Sequence, residues 1–230
     1  MAKRPVFVPR PDASPFFEEV EVEFRWFAGM AKSQAQKSID SLHEAAGREH
    51  VLSPVLEISS KSRTPLGVDL SAFNLMLTVA GQKMSVECAF QGSKVFENAG
   101  PFPDLYYSSS RDAKTDERLK SSGGLIAFRL FDEDFPLTPP TAFYDWLYLM
   151  ALRQNPVHAE QLLDYAAFSD IAFNPAKSLN CQARSAALFV GLRRAGIPQQ
   201  SLEEKASYLR LLAPLVASVP ESQGQLGLIL

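Results

Sequence analysis

The chain has 230 residues, a formal net charge of −3 and an apolar fraction of 46%, so it is long enough to bury a sizeable core. The slight negative charge argues against bulk, sequence-independent binding of nucleic acid, although it leaves a local basic patch open. The two cysteines and three histidines have no zinc-ligand spacing and form no disulfide framework. We therefore expect no metal, no cofactor, no secretory signal, no membrane span and a reducing, cytoplasmic location.

The first third of the chain is predicted to contain strands around one helix. Residues 1–15 carry four prolines, which predicts an extended segment on the surface. Alternating polar and apolar residues predict a strand at 19–27, and an apolar stripe of helical period predicts a helix at 33–49. Strands at 55–59 and 73–79 follow.

The rest of the chain is predicted to be mainly helical. Ser85 is a candidate N-cap for a helix that runs to about residue 97, and residues 98–124 predict a loop with one short helix. Residues 125–131 predict a strand, and four further helices are predicted at 141–154, 157–168, 177–196 and 201–216. Because strands and helices do not alternate regularly, the predicted fold class is α+β. The glycine-rich fingerprints of Rossmann and P-loop proteins are absent from the sequence.

The helix predicted after Ser85 places Glu87, Gln91 and Lys94 at positions i, i+4 and i+7, which lie on nearly one face. A carboxylate, an amide and an amine on one stripe can hold and cleave a polar substrate. The alternative interpretation is an ordinary solvated helix face.

Several segments, taken in order, resemble the NADAR superfamily, also called YbiA-like. They are LSAF at 70–73, the turn AGQK at 80–83 and the helix pattern SVECAFQGSKVF at 85–96. The resemblance continues through FYDWLY, FSDIAFNP and SLNCQARSAAL, where it is similar to the NADAR antitoxins found beside DarT-type DNA ADP-ribosyltransferases. Two positions depart from the family pattern, since Cys88 stands in place of a histidine and Phe173 in place of a tryptophan.

The resemblance implies a mostly helical domain of YbiA-like type with a small sheet at residues 64–230. An extended segment at 1–15 and a strand–helix–strand extension at 16–63 would precede it. The implied activity is that of an N-glycosidase that hydrolyses the bond between ADP-ribose and a nucleobase, with guanine in DNA expected. The implied partners are ADP-ribosylated DNA or nucleotide and a DarT-type toxin. Two alternatives stay open: a non-catalytic module that binds ADP-ribose or the toxin, and an N-glycosidase acting on a free nucleotide or riboflavin-pathway intermediate.

Cleavage of a ribosyl–nitrogen bond needs a carboxylate near the anomeric carbon, and Glu87 is the first candidate for that role. Asp170 is the candidate for holding a ribose hydroxyl or acting as partner acid/base. Lys94 either binds a diphosphate or, if burial lowers its pKa, attacks C1′ and forms a Schiff base. The structural alternatives are a helix-capping Glu87, a turn aspartate and a surface lysine.

The remaining candidates are expected to bind substrate. Lys61 and Arg63 precede Gly67 in a hydroxyl-rich loop that suits a diphosphate, Trp146 suits stacking on a base, and Asn180 suits a base edge or ribose. Solvated loop, core packing and a structural amide are the respective alternatives. The other proposed substrate-binding residues are Ser71, Phe73, Gln91 and Phe173.

Four basic residues in the predicted loop, Arg111, Lys114, Arg118 and Lys120, are candidates for contacts with DNA phosphates. A solvated surface is the alternative. Cys88 and Cys181 are interpreted as small core residues rather than nucleophiles, because no histidine is placed to activate either thiol.

Overall fold

A computed structural model of the chain describes residues 1–176 and 178–216. Residue 177, the predicted first residue of a helix, and residues 217–230, the predicted end of the last domain, lie outside the described residues. The chain forms two compact units. Unit 1 combines Met1–Ser71, Pro156–Pro175 and Cys181–Pro198, and unit 2 combines Ala72–Asn155, Ala176–Asn180 and the chain from Gln199 onward. The predicted boundaries at residues 15 and 63 stay predictions.

The elements follow one another in mixed order. Up to residue 92 they are β1 (Ala2–Pro9), β2 (Phe17–Phe24), α1 (Lys32–His50), β3 (Val55–Glu57), α2 (Pro65–Asp69), β4 (Met76–Val79), β5 (Gln82–Ser85) and α3 (Val86–Gly92). The later elements are β6 (Lys94–Phe96), α4 (Ser110–Thr115), α5 (Arg118–Ser121), β7 (Leu125–Leu130), β8 (Glu133–Phe135), α6 (Ala142–Gln154), α7 (Pro156–Gln161), β9 (Ala167–Ser169), α8 (Gln182–Arg194) and α9 (Lys205–Val216). Helices and strands are mixed without regular alternation, which confirms the predicted α+β class.

Unit 1 is built on a four-stranded sheet in the order β2-β1-β9-β3. β9 is antiparallel to β1 and parallel to β3, so the short late strand joins two early ones. The prediction that residues 1–15 cross the surface is wrong for β1, because Val6 and Phe7 are fully buried between neighbouring strands. Pro5 and Pro9 lie opposite Glu21 and Phe17 of β2, and both are outside the short pairing with β9, which involves only Val6 and Phe7 of β1.

Helix α1 covers this sheet with the apolar stripe that the sequence predicts. Ile39, Leu42, Ala45 and Ala46 recur at helical spacing and pack into one core with Val22 of β2. The predicted helix at 157–168 is correct only for its first part. It ends at Gln161, and the chain passes through a 3-10 turn into β9, because Ala167 and Phe168 fill the centre of the sheet.

Unit 2 holds the hairpin β4-β5, the sheet β6-β7-β8 and helix α6. The last helix, α9, packs on α6, where the Tyr208 hydroxyl donates a hydrogen bond to the Ala142 carbonyl oxygen at 3.0 Å. Phe128, Phe135 and Phe143 form an aromatic core between the second sheet and α6.

Helix α3 begins as predicted but ends earlier. The Ser85 hydroxyl accepts a hydrogen bond from the Cys88 backbone N–H at 3.1 Å, which confirms the predicted cap. The helix ends at Gly92, where an added Cβ atom would lie 2.4 Å from the Tyr106 ring. Lys94 therefore begins strand β6, paired with Phe128, and the expectation that it shares a helix face with Glu87 is wrong.

Candidate active site

Glu87 is a buried carboxylate in the first turn of α3. It is 5% exposed, and its backbone N–H donates to the Ala72 carbonyl oxygen at 2.9 Å. The unsatisfied N–H groups at a helix start favour negative charge there. Burial excludes the solvated-face interpretation, and the cap of α3 is supplied by Ser85 rather than by Glu87.

Gln91 lies one turn further along and orients this carboxylate. Its Nε2 donates to Glu87 Oε1 at 3.0 Å, and the side chain is 3% exposed. Its Oε1 is buried and accepts no hydrogen bond from any residue that the structure describes. An unsatisfied buried acceptor is costly, and a substrate hydroxyl or amine that donates to it would remove that cost.

Lys94 reaches the same cluster from strand β6. Only 4% of it is exposed, and its Nζ lies 4.9 Å from the centre of the Phe90 ring. Burial lowers the pKa of Lys94 to about 8, the negative charge of Glu87 opposes that change, and the positive charge of Lys114 adds to it. At pH 7 roughly one-tenth of the amine is therefore neutral, which is enough to supply a nucleophile.

Lys114 is directed at the cluster from α4. Its Nζ lies 3.9 Å from Glu87 Oε1 and 5.3 Å from the centre of the Phe73 ring, and about half of its side chain is exposed. From the sequence, Lys114 is a candidate for contacts with DNA phosphates, with a solvated surface as the alternative. The structure places an acidic partner, Glu87, beside it. Pairing over such a sequence separation leaves no periodic signal from which it could be predicted.

The other basic residues of the predicted loop differ from one another. Arg118 donates to Asp104 and to Asp116, so its charge is already balanced. Arg111 and Lys120 are exposed.

Trp146, the candidate for stacking on a base, lies in the core of unit 2. Trp146 is buried with its ring centre 5.2 Å from that of Phe135, which fits the core-packing alternative. Its indole N–H nevertheless makes no hydrogen bond to the described part of the chain. Asn180 precedes α8 rather than lying on it, and its buried Oδ1 also accepts no hydrogen bond from the residues described.

Asp170 belongs to unit 1 and follows β9 in a tight turn. Its Oδ1 accepts a hydrogen bond from the Ala172 backbone N–H at 3.0 Å, and its Oδ2 accepts one from Gln182 Nε2 at 3.1 Å. The residue is half-buried. It is thus a turn aspartate whose carboxylate is also oriented by a side chain from α8.

Glu57, at the end of β3, is a buried carboxyl group that the sequence interpretation missed. It is 2% exposed, and burial together with the negative charge of Asp170 raises its pKa to about 8. Hydrogen bonds from Ser59, Ser169 and the Ile171 backbone act in the opposite direction. A glutamate in a short strand carries no sequence signal that separates a buried carboxyl from a solvated one.

The remaining candidates of unit 1 are less available for substrate. Arg63 makes two hydrogen bonds to the Asp40 carboxylate, and the exposed Lys61 donates to Ser60. Ser71 is buried and donates to the Val68 carbonyl oxygen at 2.7 Å. Phe173 packs with its ring centre 6.1 Å from that of Phe7, in the core of the unit.

The nearby glycine, Gly67, has a packing function. An added Cβ atom there would lie 2.0 Å from the Glu57 carbonyl oxygen, so only glycine fits. Its N–H donates to the Thr64 hydroxyl, which caps α2. Packing alone therefore explains why glycine is required at position 67, without a bound diphosphate.

Both cysteines are buried and reduced, in agreement with their interpretation as core residues. The Cys88 thiol donates to the Ser108 carbonyl oxygen at 3.3 Å. Burial and the nearby charge of Asp170 raise the pKa of the Cys181 thiol well above its ordinary value. Among the described residues, no group of three or more His, Cys, Asp or Glu side chains is arranged to hold a metal ion. The helices of that part of the chain are also too short or too polar to cross a membrane.

A sequence model of the family described as DarT1-associated NADAR antitoxin matches residues 2–221. The chain belongs to the DarT1-associated NADAR antitoxin family. A search of curated proteins finds no match.

The family match covers nearly the whole chain and confirms the resemblance to NADAR antitoxins. It includes every candidate residue of both units, from Glu57 in β3 to Gln182 in α8. The N-terminal strands and α1 therefore belong to the matched range, as do the helices of unit 2.

Proposed function

We propose that this NADAR antitoxin is an N-glycosidase that hydrolyses the bond between ADP-ribose and a nucleobase, with guanine in DNA as the base. By doing so it would reverse the modification made by a DarT-type toxin. The family membership supports the antitoxin role. The observation that carries the proposed chemistry is the buried carboxylate of Glu87, which interacts with Gln91, Lys94 and Lys114.

Glu87 suits the electrostatic demand of this reaction. As the bond between C1′ and the base nitrogen lengthens, positive charge develops on the ribose and negative charge on the leaving base. A carboxylate in a site with little water stabilises the positive centre more strongly than it would in solvent. Gln91 holds Oε1 of this carboxylate, and the unsatisfied Oε1 of Gln91 suits a ribose hydroxyl.

Lys94 has two roles open to it. As an ammonium it binds the diphosphate. As a neutral amine its nitrogen attacks C1′, the bond from C1′ to the base breaks, and the base leaves with a proton. The ribose ring then opens to an imine, and water releases ADP-ribose and regenerates the amine. The lowered pKa supports the second role.

Borohydride trapping separates these roles of Lys94. Borohydride reduces an imine to a stable amine. The sugar therefore becomes covalently attached to the wild-type chain only if the Schiff base forms. The adduct should be absent from Lys94→Ala and present in Lys83→Ala, whose lysine is exposed on β5. Turnover with no trappable adduct would leave Lys94 as a phosphate-binding residue.

Asp170 is proposed as the partner acid/base or as the group that holds a ribose hydroxyl. The two hydrogen bonds to its carboxylate, from Ala172 and Gln182, fix its orientation, and half-burial leaves it access to a ligand. Asp170→Asn keeps the size of the side chain and removes its negative charge. We expect turnover to fall by roughly 100-fold, within the range typical of general acid–base groups.

The proposed function is tested with oligonucleotides that carry ADP-ribose on guanine or on thymine, and with ADP-ribosylated free guanosine. Release of ADP-ribose from the guanine-modified DNA, and much slower release from the other two, supports the proposal. Binding without release would indicate a non-catalytic module. Release only from the free nucleotide would indicate a small-molecule glycosidase.

A further inference from the structure

The hydrogen-bond network around Glu57 is a set of buried polar groups that the proposed chemistry does not use. Ser59 Oγ donates to Glu57 Oε1 at 2.7 Å, and Ser169 Oγ donates to Oε2 at 2.6 Å. The Ile171 backbone N–H lies 3.0 Å from Oε1 and 3.2 Å from Oε2. Both oxygens of the carboxyl group are therefore occupied.

Two of the residues that Glu57 contacts flank Asp170 in the sequence. Glu57 holds Ser169 on one side of Asp170 and Ile171 on the other, so one side chain fixes the segment that carries the aspartate. On the opposite side, Gln182 Nε2 donates to Asp170 Oδ2 at 3.1 Å and to the Ile58 carbonyl oxygen at 2.6 Å. Ile58 directly follows Glu57, the last residue of β3. Asp170 is therefore supported by the Glu57 side chain and, through Gln182, by the backbone of the next residue.

Burial of the Glu57 carboxyl group is energetically unfavourable compared with burial of an apolar side chain. Removing such a group from water is unfavourable unless its hydrogen bonds compensate, and a second acid nearby makes it more so. In agreement, burial and the charge of Asp170 raise the pKa of Glu57 to about 8. An apolar side chain would avoid this cost, but it would leave the Ile171 N–H and the Ser169 hydroxyl without this acceptor.

The network extends to a histidine of α1. His43 Nε2 lies 2.8 Å from Ser169 Oγ, and burial lowers the pKa of His43 to about 4. The imidazole is therefore neutral near pH 7. The serine hydroxyl can donate to the ionised Glu57, or accept from the protonated Glu57 and donate to His43. The position of Ser169 is thus maintained in either protonation state of Glu57.

We propose that Glu57 is a positioning residue for Asp170: by holding Ser169 and Ile171 it fixes the carboxylate of Asp170 in the orientation that turnover requires. This inference rests on the proposed glycosidase function and deepens it. Glu57 itself makes no contact with substrate in this account. Its replacement acts through Asp170, and that dependence can be measured.

The test is a double-mutant cycle with Glu57→Leu and Asp170→Asn. Leucine is close to glutamate in volume and has no acceptor, so the Ile171 N–H and the Ser169 hydroxyl both lose this partner. Glutamine is unsuitable, because like protonated Glu57 it accepts from Ile171 and donates to Ser169. Rates of ADP-ribose release are measured in single turnover with excess enzyme, so that slow variants are still quantified. Glu44→Leu, the same change at an exposed position of α1, is the matched control.

We expect Glu57→Leu to slow release by roughly 10-fold to 100-fold in the wild-type background, because small misplacements of catalytic groups cost rate factors of this size. In the Asp170→Asn background it should slow release by less than about twofold, since the group that it positions is already lost. A variant that merely unfolds part of the protein loses the same factor in both backgrounds. Glu44→Leu should behave as wild type.

The outcomes separate the two proposals. Equal losses in both backgrounds, or no loss in either, would overturn the positioning role and leave the glycosidase proposal standing. Full activity of Asp170→Asn would overturn the roles of both residues while leaving Glu87 untouched. If the wild-type chain releases no ADP-ribose from any of the three substrates, the glycosidase proposal fails and this inference fails with it.

Discussion

Replacing Lys94 with methionine should stabilise the fold while it abolishes turnover. Lys94 is almost fully buried, and burial lowers its pKa from the ordinary value of 10.5 to about 8. The folded protein therefore holds the ammonium less favourably than the unfolded chain does. This penalty is complete below a pH of about 8 and disappears as the pH rises from about 8 to 10.5.

The size of the effect follows from that difference in pKa. At about 1.4 kcal/mol per tenfold change, it corresponds to roughly 3 kcal/mol of lost stability at neutral pH. Methionine has a similar length and no charge, so it removes the penalty and keeps most of the contact with Phe90. The pKa of about 8 already includes the attraction of Glu87 for the ammonium, so that attraction is not subtracted again. Because methionine will not fill the space of the lysine side chain perfectly, we expect a net gain of about 1–3 kcal/mol.

Urea denaturation of the wild type and of Lys94→Met, at pH 7 and near pH 10, measures this gain. The variant should be more stable at pH 7, and the difference should shrink at the higher pH. Lys83→Met, at an exposed position on β5, should change the free energy of unfolding by less than about 0.5 kcal/mol at either pH. A variant less stable than the wild type at pH 7, or a difference independent of pH, would refute the reasoning.

Two further substitutions, each with a matched control, test the site and the packing of Gly67. Lys114→Gln removes the ammonium 3.9 Å from Glu87 and should slow turnover by roughly 10-fold. The control Lys120→Gln, on α5, should lower only the affinity for DNA, in a salt-dependent way. Equal, salt-dependent losses for both variants would assign Lys114 to phosphate binding instead. Gly67→Ala places a Cβ atom 2.0 Å from the last carbonyl oxygen of β3. The free energy of unfolding, measured by thermal melting, should fall by about 1–3 kcal/mol or more. Gly47→Ala, in the interior of α1 where the nearest atom is 3.7 Å away, should be neutral or slightly stabilising, and equal losses for the two would contradict the close approach.

The parts of the fold that local sequence determines could be predicted. The apolar stripe of α1 and the Ser85 cap of α3 depend on residues within one or two turns, and both are confirmed. The end of α3 depends on Tyr106, which packs against Gly92 and leaves no room for a Cβ atom. The burial of β1 depends on a late strand, β9, that pairs beside it. Contacts between distant segments leave no periodic pattern in the sequence.

The same limit applies to the site. Glu87 and Gln91 are one helical turn apart, and their spacing predicts that they share a helix face, where a hydrogen bond joins them. Lys94 reaches the cluster from a strand, so its helical spacing was the wrong reason to place it there. Glu57 and Ser169 are 112 residues apart in the chain, and only the parallel pairing of β3 with β9 brings them together.

The most direct measurement of the central claim is a comparison of binding and turnover for Glu87→Gln on guanine-ADP-ribosylated DNA. Glutamine keeps the size of the side chain and removes the negative charge that stabilises C1′. We predict that release of ADP-ribose falls by roughly 100-fold or more while the affinity changes by less than about threefold, and that Glu133→Gln, an exposed change on β8, leaves both unchanged. Release by Glu87→Gln at the wild-type rate would show that this carboxylate does not take part in cleavage.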